Sequence, residues 1–351
     1  MKHNALLTLF SNYISKTRHW YQLVFIFCAV IVIVSLISHF TVHFLRISTS
    51  PGKYQNYGAN DRVATTRLYG SSVAYSAIDW SEISKILGAP IESWASLGQT
   101  PSEWEYSPRP SKEIKRIFIA ISPVDLNEHA LSDFRVDYVP LTQTIRDLWQ
   151  VQADFSFNKR VLSQYPTRAL RVLFPTVGRS DGVMTGIRDE LKKMTRIGSS
   201  SEPDEAFRFK MEGDSGLEEK VSDWPPGRLQ RRLALTRAAC QGKHSFNGLK
   251  KMALTRLVQN FKQKGQLIFI VLPVSPIYQE EFLTAKVKHE FEMELADFQS
   301  LWPQAKLIRL DKLPPLQDNS MYWDFVHANH YGQQIMTSAF LTHLDHSGRL
   351  P

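Results

Sequence analysis

Two stretches, at opposite ends of the chain, carry residue types that can do nucleophilic chemistry. The first is Leu68-Tyr69-Gly70-Ser71-Ser72-Val73-Ala74-Tyr75, which follows an apolar-alternating run and leads into a helix-like run from Tyr75 to Leu87. A glycine where a strand hands over to a helix permits a turn that a side chain would obstruct. A serine just beyond it is exposed, with the free N–H groups of a helix start behind it to hold an oxyanion. Ser72 is the candidate nucleophile; the competing expectation is that Ser71 or Ser72 only caps the helix. The second stretch is Tyr322-Trp323-Asp324-Phe325-Val326-His327-Ala328-Asn329-His330-Tyr331-Gly332. A carboxylate three residues before an imidazole can share a side with it, fix its tautomer and stabilise the imidazolium formed when it takes a proton from serine. Asp324 and His327 are therefore the candidate acid and base. The same spacing also suits a surface hydrogen bond, or, with His330, a metal ligand set that no further Cys or carboxylate cluster supports.

The elements that must position these groups read as alternating strands and helices. Strand-like runs are Val63–Leu68, Ile91–Ala95, Arg116–Ile121, Leu267–Leu272 and Lys306–Leu310. Amphipathic faces mark helices between and beyond them: Leu249, Met252, Leu257 and Phe261; Phe291, Leu295 and Phe298; Ile335, Ala339 and Phe340. That alternation predicts an α/β fold whose mostly parallel sheet has five strands and helices on both faces, a three-layer α/β/α arrangement. In such sheets sites form beyond the carboxyl ends of the strands. Ser72, Gly98, the Ser122–Asp125 turn, the Pro273–Pro276 turn, and Asp324 with His327 would then converge on one edge.

This set resembles the SGNH (GDSL-type) hydrolase superfamily in divergent form. Gly70-Ser71-Ser72 matches its nucleophile turn, Gly98 its glycine after the second strand, and Asp324-x-x-His327 its closing motif, with Gly332 beyond. The resemblance runs from about Leu68 to Leu344. It implies a flavodoxin-like α/β/α domain, a triad of Ser72, His327 and Asp324, and oxyanion or substrate contacts from Gly98, Ser122 and Asp125, with no cofactor and no metal. One motif departs: Ile121-Ser122-Pro123-Val124-Asp125 puts Val124 where the oxyanion asparagine is expected, and Asn127 could replace it only in a rearranged turn. An α/β-hydrolase elbow is excluded, because Ala74 stands where Gly-x-Ser-x-Gly requires its last glycine.

The chain has 351 residues, 43% hydrophobic and 22% charged, which describes a folded protein. Between Trp20 and Leu45 there is no Asp, Glu, Lys or Arg, a length of apolar chain that suits a membrane span better than a cleaved leader. Lys2, Lys16 and Arg18 precede it without an acid, so the positive-inside rule expects residues 1–19 in the cytoplasm, a signal anchor over 20–45 and the rest across the membrane. The expected location is the inner (cytoplasmic) membrane, single-pass, with the bulk periplasmic. Residues 46–61 read as a tether and 62–351 as the domain. An insertion at about 130–228 has a basic, aromatic first half and a Ser/Glu/Asp/Gly/Pro-rich flexible loop at 198–227. It reads as a helical insertion on the core, with a cap over the substrate or an amphipathic surface on anionic lipid as functional options. Cys28 and Cys240 form no disulfide within the domain. Net charge +8 without a nucleic-acid motif places nucleic acid last among partners and suits an acidic glycan or anionic membrane lipid.

A tethered SGNH domain facing outward resembles proteins that acylate bacterial envelope polymers, such as those of alginate acetylation or lipoteichoic acid D-alanylation. The resemblance implies an O-acyl (acetyl) transferase or esterase acting on an envelope or exported polysaccharide beside a multi-spanning membrane acyl carrier partner. The alternative it leaves open is a catalytically silent SGNH-like subunit of a polysaccharide modification or export machine.

Overall fold

In the computed structural model, described residues are 2–44 (side chains over 20–41), 55–57, 63–95, 98–130, 139–152, 154–166, 170, 173–174, 218–261 and 265–344. Most of the expected tether, Ser96 and Leu97, residues 198–217 of the expected loop, and His346 lie outside them. The chain divides into two compact units, residues 1–50 with 165–204, and residues 51–164 with 205–351. Residues 165–204 of the expected insertion fall in the first unit and the rest of it in the second.

In the first unit a single helix, Lys2–Phe44, runs through both the expected cytoplasmic segment and the span. Its Trp20–Thr41 portion is long and apolar enough to cross a membrane. Within this unit Ser35 Oγ donates to the Leu173 carbonyl at 2.5 Å.

The second unit is α/β. Five strands are parallel: β2 (Thr66–Gly70), β3 (Ile91–Ala95), β4 (Arg116–Ile121), β5 (Gln266–Val271) and β6 (Lys306–Arg309), in the order β3-β2-β4-β5-β6. A sixth, β1 (Gln55–Tyr57), pairs antiparallel on the outside of β3, with Tyr57 opposite Ile91. These residues fall in the stretch expected to be a tether. Three polar residues carry no strand pattern; the exposed edge of β3 and the Ser84 hydroxyl, which donates to the Tyr57 carbonyl, hold them there.

Strand residues alternate between two apolar clusters, as a two-residue period requires. Leu68, Phe118, Ile268, Ile270 and Ile308 share one with Val73, Ile83, Met336 and Phe340. Tyr69, Ile117, Ile119, Phe269 and Val271 share the other with Leu254, Leu257, Leu295 and Phe298. The run expected as one helix to Leu87 is two, Ser72–Ala77 and Trp80–Leu87. Ile78 is extended, and Asp79 caps the second helix by accepting from the Ser81 and Glu82 N–H groups.

From residue 218 onward the expected loop is ordered. It forms a 3-10 turn at Val221–Asp223 and then the helix Pro226–Ala239, with Pro226 at the first helical position, where a missing N–H costs nothing.

Candidate active site

The chain leaves β2 for β3 on one side and then crosses to β4 on the other. The crevice beyond the carboxyl end of β2 is thus the topological switch point, where ligands settle in open parallel sheets. Ser71 and Ser72 stand there, and only the first is taken up by capping. Ser71 is the N-cap, its hydroxyl accepting from Val73 N–H at 3.1 Å. Ser72 is the first helical residue, so its N–H has no intrahelical acceptor and its hydroxyl is free for other work.

Gly70 is required by close approach. A Cβ there would meet the Ala74 Cβ at 2.3 Å, with the Ala95 Cβ and the Ala120 carbonyl at 3.5 Å. Gly70→Ala should therefore push the Ser72 helix off the sheet. We expect a loss of about 1–3 kcal/mol in a urea melt, together with slower reaction of Ser72 with a serine-directed probe.

The acid and base arrive from the far end. The last helix, His330–Leu341, packs on the Ser72–Ala77 helix: Gln333 Nε2 donates to the Ser76 carbonyl at 3.2 Å, and Thr337 Oγ1 accepts from Asp79 N–H at 2.9 Å. Phe340 completes the contact edge-on to Trp80 and Phe118. Just ahead of this helix, residues 322–328 form a tight turn closed by an antiparallel bridge between Tyr322 and Ala328 and by Trp323 N–H donating to the His327 carbonyl at 3.1 Å. Gly332 lets the helix approach that turn, since a Cβ would stand 2.3 Å from the Met321 carbonyl oxygen.

The result is a connected trio. His327 Nε2 lies 2.8 Å from Ser72 Oγ, across 255 residues of sequence. His327 Nδ1 lies 2.8 Å and 3.0 Å from the two Asp324 carboxylate oxygens. Asp324 Oδ1 also accepts from the Val326 and His327 N–H groups at 2.8 Å each. Burial on its own would raise the Asp324 carboxyl, but the charge and hydrogen bond of His327 and the two backbone donors outweigh it and hold the carboxyl below the usual carboxylate range. An ionised Asp324 accepts from Nδ1–H, leaving Nε2 to accept the Ser72 proton. The arrangement can generate an alkoxide-like nucleophile and then return the proton to a leaving group.

The remaining expected residues lie nearby in different roles. Gly98 is exposed beyond β3 in a left-handed conformation, φ 64°. Ser122 and Asp125, expected as oxyanion or substrate contacts, are buried, 0% and 3% exposed. Asp125 Oδ2 accepts from Ser122 N–H at 2.8 Å and Ser122 Oγ at 2.7 Å, and the carboxylate also takes a hydrogen bond from the Ser71 side chain. Burial pushes the Asp125 carboxyl up despite these donors. The pair is buried and bonded to the Ser71 side chain, so it buttresses the Gly70–Ser72 turn. Asn127 is also buried, its amide donating to the Lys243 carbonyl and accepting from His129 N–H, so it supplies no oxyanion donor. Ser275 caps the next helix and donates its N–H to the Phe325 carbonyl, bracing the turn that carries Asp324 and His327. His330 Nε2 meets Gln334 Nε2 at 2.7 Å, and among the described residues no three His, Cys, Asp or Glu side chains group as a metal site.

One contributor escaped the sequence reading. The Trp323 indole stacks on the His327 imidazole, centroids 5.1 Å apart and planes 14° from parallel. An aromatic face against the ring limits its rotation and holds Nδ1 toward Asp324 and Nε2 toward Ser72. Its neighbour position to Asp324 in a tight turn was the available signal. With the imidazole less firmly positioned, Trp323→Leu should lower kcat about 3- to 30-fold with KM unchanged, and Trp323→Phe should restore most of the loss; steady-state kinetics on an activated ester measures both.

No protein-family model matches this chain, and no curated protein sequence matches it.

Proposed function

We propose that the chain is a divergent, membrane-anchored SGNH-type protein with a three-layer, flavodoxin-like domain. Its function in this reading is that of an extracytoplasmic serine-dependent O-acyl (acetyl) transferase or esterase acting on a bacterial envelope or exported polysaccharide. The observation that carries the reading is the continuous Ser72–His327–Asp324 chain of hydrogen bonds at the switch point of the parallel sheet.

The chemistry follows from that chain. His327 Nε2 takes the hydroxyl proton as Ser72 Oγ attacks the acyl carbonyl, and the Ser72 N–H, with Gly98 beyond the neighbouring strand, serves the tetrahedral oxyanion. The proton passes from Nε2 to the departing alcohol, leaving acyl-Ser72. A sugar hydroxyl or water then gives its proton to Nε2, attacks the ester and releases Ser72 Oγ to be reprotonated. Transfer requires a groove that keeps water out, and a multi-spanning acyl carrier is the partner that would load Ser72 from the membrane side.

A second reading, a catalytically silent binding subunit, is favoured by one feature: Val124 replaces the side-chain oxyanion donor and Asn127 is engaged elsewhere. Loss of such a donor costs about two to three decades in rate. Intact-mass analysis of the full chain after a fluorophosphonate probe separates the two. One adduct on the wild type, missing from Ser72→Ala and His327→Ala proteins, is the result expected of the acyl enzyme. A folded wild type that takes no adduct sinks it in favour of the silent subunit.

A further inference from the structure

Away from the catalytic edge, two helices of the insertion, Leu141–Gln150 and Phe155–Leu162, carry a surface that acyl chemistry leaves unexplained. The first helix is inverted with respect to an ordinary amphipathic surface helix. Its inward side is Thr144, Asp147 and Leu148, whereas Leu141, Ile145 and Trp149 are 43%, 52% and 85% exposed. Those three recur every fourth residue and form one stripe. Phe155, the first residue of the next helix, is 82% exposed.

The orientation is built in. Asp147 is 1% exposed and is held by Arg256 from another helix at 2.9 and 3.0 Å, and Leu148 packs with Phe157, Val161 and Leu249. Turning the stripe inward would break the Arg256–Asp147 ion pair, in which Asp147 is buried and Arg256 partly so.

We propose that this face docks in the headgroup layer of an anionic bilayer. Exposed tryptophan and phenylalanine near the adjoining ends of two helices suit the membrane interface, where an apolar ring can enter while the backbone stays hydrogen-bonded. Exposed Arg146 and Lys159 flank the stripe and complement anionic lipid. The acidic neighbour, Asp154, is engaged as a helix cap by Ser156 Oγ and Phe157 N–H. The chain also supplies the surface: from Phe44, at the end of the apolar helix, to Gln55, where the second unit's sheet begins, the polypeptide spans at most about 40 Å. The docking rests on Trp20–Thr41 being a membrane span; it does not depend on the acyl chemistry.

The test uses the full chain in nanodiscs of phosphatidylcholine with phosphatidylglycerol, 3:1, carrying Trp149→benzoylphenylalanine or Phe155→benzoylphenylalanine, with Tyr331→benzoylphenylalanine as reference. After irradiation, phospholipid adducts are expected at positions 149 and 155 at a yield about fivefold or more above that at 331, and lower in phosphatidylcholine alone. Adducts to protein instead of lipid would overturn the proposal in favour of a second copy or another protein, and absence of any adduct would overturn it in favour of a solvated face. Equal yields in the two lipid mixtures would remove the anionic preference. Carbonate extraction of the unsubstituted chain reports separately on the span: release would overturn the anchorage itself, while retention without lipid adducts would overturn the docking alone.

Discussion

A Ser72→Ala protein should lose about four to six decades of acyl turnover while keeping its melting temperature within a few degrees of wild type. Among the described residues the hydrogen bond of the Ser72 hydroxyl is the 2.8 Å one to His327 Nε2, and the helix is capped by Ser71. Removing the hydroxyl therefore deletes the proposed nucleophile without deleting a cap. His327→Ala should cost a similar factor, and the double variant should be no worse than either single one, because the two groups act as a unit. Stopped-flow release from an activated acetyl ester, with calorimetry alongside, measures both quantities. Full turnover in Ser72→Ala would refute the assignment. Ser71→Ala should show the reverse pattern, with stability reduced by about 1 kcal/mol through loss of the N-cap.

Asp324→Asn should reduce kcat by about four decades with little change in KM. Asn can donate to the Nδ1 lone pair, which favours the tautomer with hydrogen on Nε2, so the nitrogen 2.8 Å from Ser72 Oγ no longer accepts. The stability effect has a definite sign. Asp324 is held below its ordinary range in the folded protein, so the carboxylate contributes stability that is fully present above about pH 4, its unfolded value, and is lost as pH falls through the lower folded value. Chemical melts of wild type and Asp324→Asn should differ at pH 7 and converge in that acidic window. A difference that persists undiminished below it would show that Asp324 stabilises by shape and not by charge.

Much of this site could be read from one-dimensional pattern. Strand β3 and strand β4 stand at the residues their apolar runs mark, and β5 and β6 differ at their ends by one residue. Gly70 and Asp324-x-x-His327 were readable because turn chemistry restricts residue types locally. The edge strand Gln55–Tyr57 was not, since its residues have no strand pattern and pair only because β3 offers an edge. The break at Ile78 and Asp79 was missed because apolar periodicity continues through it, while the Asp79 cap interrupts the backbone.

The role of the Ser122–Asp125 turn shows the same limit. Position in a motif suggested contact with a ligand, but which way a turn's carboxylate faces depends on what packs behind it, here the Ser71 cap. By itself the amino-acid sequence determined the α/β class, the apolar N-terminal helix and the identity of the three groups in the trio, because strand and helix periods and turn residues are set by local sterics. Only the tertiary structure decided that Ser72 and His327 meet across 255 residues, that Trp323 lies on the imidazole, and that Leu141, Ile145 and Trp149 face outward. Each of those depends on contacts between segments distant in sequence, and on side-chain packing that no local pattern encodes.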